Sequence, residues 1–468
     1  MAIFHRFGTA RGRNRADNPE PADQSHPTNA GQGRTEEGLV LSGGGSRGSF
    51  HLGALRYLYD HRLIAPTTIV STSAGSIFGL LMSQSADPAE QSRYLRLVES
   101  YWMAMTTSGD MFAEQAWFTN LREQWEELVG AMPDLSDSEP VFVDANTDDA
   151  EGLVREVLQA DPSREPDPFS LSALWKTVGT LGRISRIGPG LATSLRGAER
   201  ASSAYRPGPI VQRVLYESGF SAQTVAGSGM RLRMAMVGLN SGDLRYMRQD
   251  GIIVDMNDQP VDDTPFDLSL GLYASCAIPG VFRPVRLGDE MYVDGGMRDN
   301  IPVHMCVTGL GVTRPYVISC LSLRLPRADY LDKDVVAVVG RSMAIMVDET
   351  TRDELAWSRQ MGATVIEPLI DVHSILTVEP GLLRINRDYG WMRAAEVMTG
   401  APDGMTGPIV KTRLALYRLL AKPRADPAEA EITEVRARLG ALVAAADPAL
   451  LPEESAGWAD ETWGAPVR

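Results

Sequence analysis

The apolar positions of this chain first become periodic at Gly38. Leu39, Val40 and Leu41 form a short apolar run, Ser42 to Gly48 is a loop of small residues, and Leu52, Leu55 and Leu58 recur at helical spacing. Thr68, Ile69 and Val70 give a β-branched run that ends at a second cluster of small residues, with a helix through Ile77 to Met82 behind it. Strand, loop, helix, strand and helix in that order predict a parallel βαβ opening. Leu232 to Leu239 and Leu244 to Met247 flank Asn240-Ser241-Gly242-Asp243, the pattern of a hairpin. Later strands are expected at Met291 to Val293, Tyr316 to Ser319 and Ala363 to Glu367. Helices are expected at Val335 to about Met361, around Trp391 to Met398, at Val410 to Leu420 and at Ala428 to Ala446.

The stretches without such periodicity set the boundaries. Residues 1–36 are polar, rich in Arg, Asn, Pro and Gly, and read as a disordered leader. Residues 37–400 read as one α/β domain with a helix-rich insertion at about 87–206 that caps the sheet, and 401–468 as a C-terminal helical extension. Charge reverses inside the insertion: residues 122–151 are acidic, whereas Lys176, Arg183, Arg186, Arg196, Arg200 and Arg206 face one acid, Glu199.

Composition narrows the function classes. In 468 residues, 45 Lys and Arg stand against 60 Asp and Glu, a net charge of -15, which argues against a non-specific nucleic-acid binder. Cys276, Cys306 and Cys320 have no metal-ligand spacing and are odd in number, so neither a disulfide framework nor a structural zinc is expected. No apolar run approaches the roughly 18 residues of a membrane span. The expectation is a cytoplasmic protein that meets membranes peripherally, through Lys176 to Arg206 and the apolar residues between its cations.

Three motifs carry chemistry. Gly43-Gly44-Gly45-Ser46-Arg47-Gly48 follows a strand and opens a helix. A dinucleotide site would want an acid where Ser71 stands, and a phosphate loop would want Lys-Ser or Lys-Thr where Ser49-Phe50 follows. An oxyanion hole of backbone N–H groups needs neither, and a plain glycine turn also fits. Ser71-Thr72-Ser73-Ala74-Gly75 sits at the next strand-to-helix turn and approximates G-x-S-x-G, with Ser73 as nucleophile. Its serines would equally serve as helix caps. Asp294-Gly295-Gly296 ends a strand, where the acid can approach another strand end in a parallel sheet or simply make a turn.

In this order the three motifs, supported by Ala274-Ser275-Cys276-Ala277-Ile278-Pro279 and Phe282-Arg283-Pro284, resemble the patatin-like phospholipase family over roughly Gly38 to Gly400. The resemblance implies a three-layer α/β fold with a mostly parallel central sheet and a lipid acyl hydrolase of phospholipase A or lysophospholipase type. It implies a catalytic dyad of Ser73 and Asp294, an oxyanion hole at Gly43 to Gly48, and motif support from Ser71, Gly75, Gly295 and Gly296. Ser71 stands where the family carries Gly. A carboxylate can take the serine proton directly, so no metal or cofactor is expected. His304 and His373 stay open as third members of a triad. The second reading is a lipid-surface binding protein that keeps the fold without catalysis.

Overall fold

The computed structural model describes residues 36–116, 119, 203–323, 335–421 and 429–463. Along the described chain the strands are β1 (Glu37–Leu41), β2 (Thr68–Thr72), β3 (Phe112–Glu114), β4 (Tyr205–Pro207), β5 (Arg231–Gly238), β6 (Leu244–Arg248), β7 (Ile253–Val254), β8 (Val285–Leu287), β9 (Glu290–Asp294), β10 (Arg314–Ile318) and β11 (Thr364–Ile366). The longer helices are α1 (Ser49–His61), α2 (Ala74–Met82), α3 (Pro88–Met103), α4 (Leu268–Ser275), α5 (Val335–Gln360), α6 (Pro380–Thr399), α7 (Gly407–Ala421) and α8 (Glu429–Ala445).

The main sheet runs β11-β10-β1-β2-β5-β6-β7. Its first five strands are mutually parallel, β6 and β7 continue it antiparallel, and β9 adds to β5 antiparallel with β8 beyond it. β3 and β4 form a separate antiparallel pair. The parallel β1–α1–β2 opening and the β5–β6 hairpin are thus as the apolar pattern predicts.

The sheet is buried on both faces, as strands linked by crossover helices must be. Alternate residues serve the two sides: Leu39, Leu41, Ile69 and Ile318 join a large core with residues of α1, α2, α3, α4 and α6. Val40, Val70 and Val317 join a smaller one with Ile301, Val303, Met305 and Leu355 of α5. The result is three layers, helix, sheet and helix.

α1 and α6 cross closely enough that a Cβ on Gly53 would overlap the Arg387 carbonyl and one on Gly390 the Phe50 carbonyl. α6 begins at Pro380, well before the expected Trp391, because its buried face carries Asn386, Asp388, Arg393 and Glu396 and so shows no apolar period. Those polar groups are matched: Arg393 pairs with Glu396, and Asp388 with Arg413 of α7 at 2.8 Å. Val410, Leu416 and Trp458 belong to the same core as Leu39 and Phe50.

The described chain starts with Glu36, which accepts from the Thr313 N–H and pairs with Arg231. Residues 1–35 of the expected leader and most of the cationic run, all but 203–206, lie outside the described residues.

Candidate active site

The register of β5 brings the two strand-end motifs together. β6 lies along one edge of β5 from Arg233 to Val237, so β2 and β9 share the other edge. Thr72 is opposite Ala235, and Asp294 is opposite the next residue, Met236. The last residue of β9 therefore meets the last residue of β2, end to end. β9 runs antiparallel to β5, not parallel as its Asp-Gly-Gly ending suggested. Only the antiparallel direction points its C-terminal end at that of β2.

Ser73 begins α2 with φ 50° and ψ -125°, one of three non-glycine residues with positive φ among the described residues. Backbone strain of this kind costs on the order of 1–3 kcal/mol and persists where the surroundings over-determine it. They do so here. The Ser73 N–H donates to Ser275 Oγ at 3.1 Å, and its carbonyl accepts from the Ser76 N–H at 2.8 Å and the Cys276 thiol at 3.2 Å. A Cβ at Gly75 would lie 2.4 Å from the Leu41 carbonyl oxygen, so the elbow admits glycine alone there.

Ser71, the departure from G-x-S-x-G, is accommodated by Gly79. Its Oγ accepts from Ser76 Oγ at 3.1 Å and occupies space where a Cβ on Gly79 would stand only 3.0 Å away. The strained turn is kept. The capping alternative for Ser73 loses its basis, since its side chain caps no helix N–H.

Asp294 Oδ1 accepts from the Gly296 N–H at 2.8 Å. Oδ2 is buried and has no partner of regular hydrogen-bond geometry among the described residues, although the Ser73 hydroxyl is near enough to act on the carboxyl's affinity for protons. Burial pushes the carboxyl up to about 6, against the downward pull of the Ser73 hydroxyl and the Gly296 N–H. Gly295 is pressed against Ala235, where a Cβ would lie 2.6 Å from its backbone.

Gly43 packs on Ser73: a Cβ there would be 3.1 Å from Ser73 Cβ. Within the glycine loop the N–H groups of Gly43, Ser46 and Arg47 are taken, by the carbonyls of Asn300, Ile375 and Gly44. Those of Gly44 and Gly45 have no partner among the described residues, and Gly45 has φ 55°, a left-handed value that suits glycine. The Arg47 side chain holds the loop from behind, donating to the His373 carbonyl at 2.6 Å and pairing with Asp371 at 2.8 Å.

Residues 39–307, more than half of the chain, match the sequence model of the family described as patatin-like phospholipase. The chain belongs to that family. A curated relative, the triacylglycerol lipase SDP1L of Arabidopsis thaliana, is 38% identical over 80 residues, which are 17% of this chain and 9% of that protein, so this patatin-like chain spans only a small part of its length. Among solved structures, VipD from Legionella pneumophila gives a TM-score of 0.33 at 12% identity over 91% of this chain and 83% of its own. ExoU, in its complex with SpcU from Pseudomonas aeruginosa, gives 0.21 at 14% identity over 89% and 67%. Likenesses this weak carry no argument about the patatin-like site.

Above Ser73 opens a cavity of about 570 Å³, walled mainly by apolar side chains including Ile77, Trp102, Phe112, Ile210 and Phe282. Neither open histidine bonds to Ser73 or Asp294. His373 is buried beside Arg47, with burial lowering it to about 4, and His304 lies against Trp357.

The segment that sequence reasoning used only as a family marker turns out to hold both members of the site. Ser275 and Cys276 bind the Ser73 backbone, while the Ala277 carbonyl accepts the Asp294 N–H at 3.0 Å. Burial and the nearby Asp294 carboxylate keep the Cys276 thiol well above its usual range, as a neutral donor. Its spacing to the two motifs gave no sign of this, because the contact is made only in the fold. Among the described residues no helix is long and apolar enough to cross a membrane.

Proposed function

We propose that the chain hydrolyses lipid acyl esters through a Ser73–Asp294 dyad. The observation that carries this reading is the buried Asp294 carboxyl, raised to about 6, beside a serine held at positive φ. An ordinary carboxylate is a poor base for a hydroxyl. One whose pKa is raised toward the working pH serves better, and it needs no imidazole.

In the proposed cycle Ser73 Oγ attacks the ester carbonyl carbon and its proton passes to Asp294. The carbonyl oxygen gains negative charge and is met by the N–H groups of Gly44 and Gly45. Each such donor is worth on the order of 3 kcal/mol of barrier. The C–O bond to the alcohol breaks, and Asp294 returns the proton to the departing alcohol. Water then attacks the acyl-enzyme, gives a proton to Asp294 and releases the fatty acid. The proton returns to Ser73. The apolar cavity takes the acyl chain, with burial worth about 0.8 kcal/mol per methylene.

The reading is of the phospholipase A or lysophospholipase type, which the family's description supports, while the lipase relative supports lipid ester hydrolysis in general. The site residues, the peripheral membrane contact, the cytoplasmic location and the division at residue 400 are parts of the same proposal. Ser73→Ala and Asp294→Asn are each expected to lower p-nitrophenyl ester turnover by at least about 10³-fold with unchanged circular dichroism. Turnover retained by either folded variant removes that residue from the dyad.

A further inference from the structure

Among the described residues the cavity wall carries two cations, Arg206 and Arg283, and no carboxylate. This stands out in a chain of net charge -15. Two backbone hydrogen bonds join the segments that carry them: the Ala204 N–H donates to the Gly280 carbonyl at 3.0 Å and the Tyr205 N–H to the Val281 carbonyl at 2.9 Å. Arg206 thereby lies next to the turn that carries Phe282 and Arg283.

Both side chains are exposed, and among the described residues neither makes an ion pair. The acid nearest along the strand pair, Glu114, lies opposite Tyr205, lines the neighbouring cavity and accepts from Thr119 Oγ1 at 3.0 Å. Two guanidinium groups on one cavity wall, with no acid on that wall among the described residues, favour an anion in the cavity. Arg also offers paired donors that suit phosphate oxygens.

We infer that Arg206 and Arg283 form a phosphate-recognition pair at the wall of the acyl cavity, which selects phosphate-bearing acyl esters over neutral acylglycerols. The inference rests on the hydrolase reading for its reaction and names the substrate class of the same site. Ser73 would receive the ester carbonyl and the apolar wall the acyl chain, while the two arginines take the phosphate on the remaining part of the same molecule.

The test compares kcat/KM of the full chain on a lysophospholipid and on a monoacylglycerol with the same acyl chain. Measurements are made for the wild type, Arg206→Gln, Arg283→Gln and the double variant. The ratio of the two rates is expected to fall about tenfold to a hundredfold in the double variant and by less in each single one. A ratio that stays the same overturns the assignment and leaves the hydrolase reading untouched.

A second arm does not depend on hydrolysis. Binding of an ether-linked lysophospholipid, compared with the matching alkylglycerol, should lose its preference for the phosphate-bearing ligand in the double variant. If the wild type cleaves neither ester, the hydrolase reading fails and this arm alone decides the pair. Equal preference in both proteins overturns it. Inorganic phosphate separates a headgroup site from one for the free anion. Inhibition of phospholipid turnover alone supports the headgroup, whereas equal inhibition of both esters that disappears in the double variant overturns it.

Discussion

Ser275 accepts the backbone N–H of Ser73 at 3.1 Å, across 202 residues of sequence, and so fixes that serine in a turn it would not adopt by itself. The same hydroxyl is 2.9 Å from Ser76 Oγ, which in turn reaches Ser71, so three buried serines back the elbow. Ser275→Ala leaves the Ser73 N–H unsatisfied at a cost of about 1–3 kcal/mol. The expected result is a lower Tm and a kcat reduced about tenfold or more, with Ser275→Thr retaining more of both. A Ser275→Ala variant with wild-type kcat would show that the turn holds without this bond.

Ser71 and Gly79 should behave as one unit. Gly79→Ala places a methyl group 3.0 Å from Ser71 Oγ and 3.1 Å from Ile69 Cγ2, an overpacking expected to cost about 1–3 kcal/mol. Ser71→Gly should recover part of that loss, giving a coupling of at least about 0.5 kcal/mol in a denaturation double-mutant cycle. Ser71→Ala should be much milder than Ser73→Ala in ester turnover. Strictly additive costs would mean that the serine is not what fills the space above Gly79.

These relationships mark the limit of what the sequence discloses. The β1–α1–β2 opening, the β5–β6 hairpin and the strand ending at Asp294 are visible because local apolar period and turn residues determine them. The direction and neighbour of β9 are not visible. A strand's pattern records which faces are buried, but not which edge it joins, so the meeting of Thr72 with Asp294 across β5 emerges only from register. The first half of α6 is hidden for another reason. Asn386 and Asp388 are buried with partners from other elements, and a helix with polar groups on its inner face has no apolar period to read. Ser275 and Ala277 are legible as a motif but their task is not, since each acts on a residue from a distant segment.

Activity should depend on pH through Asp294. A carboxyl acting as the proposed base is effective when ionised, so kcat/KM on a neutral ester is expected to rise with pH through about 6 and level off above it. Stability runs the other way. The folded carboxyl binds its proton more tightly than the unfolded one, with a value of about 6 against 3.8, so this group's contribution is present at low pH and lost as pH rises through 6. Asp294→Asn lacks that loss. Relative to the wild type it should gain on the order of 1 kcal/mol between pH 5 and pH 8 in urea denaturation. An unchanged difference between the two proteins at the two pH values would show that Asp294 is not raised in the folded chain.

Arg47 and Asp371 support the glycine loop and do not line the cavity above Ser73. Arg47→Gln and Asp371→Asn each remove the ion pair of 2.8 Å, and both should lower kcat several-fold with a smaller change in KM, because the loop's N–H groups matter most as charge develops on the carbonyl oxygen. The double variant should be no worse than the poorer single one. A rise in KM alone would place Arg47 in substrate binding instead.

The central claim is that Ser73 is a nucleophile with Asp294 as its base, and its most direct test is covalent. The full chain is treated with an active-site-directed fluorophosphonate, and intact mass is followed by peptide mapping. The account predicts one adduct per chain, located on Ser73, absent from Ser73→Ala and formed much more slowly in Asp294→Asn. No adduct on the folded wild type, or an adduct on another residue that Ser73→Ala leaves in place, would contradict it.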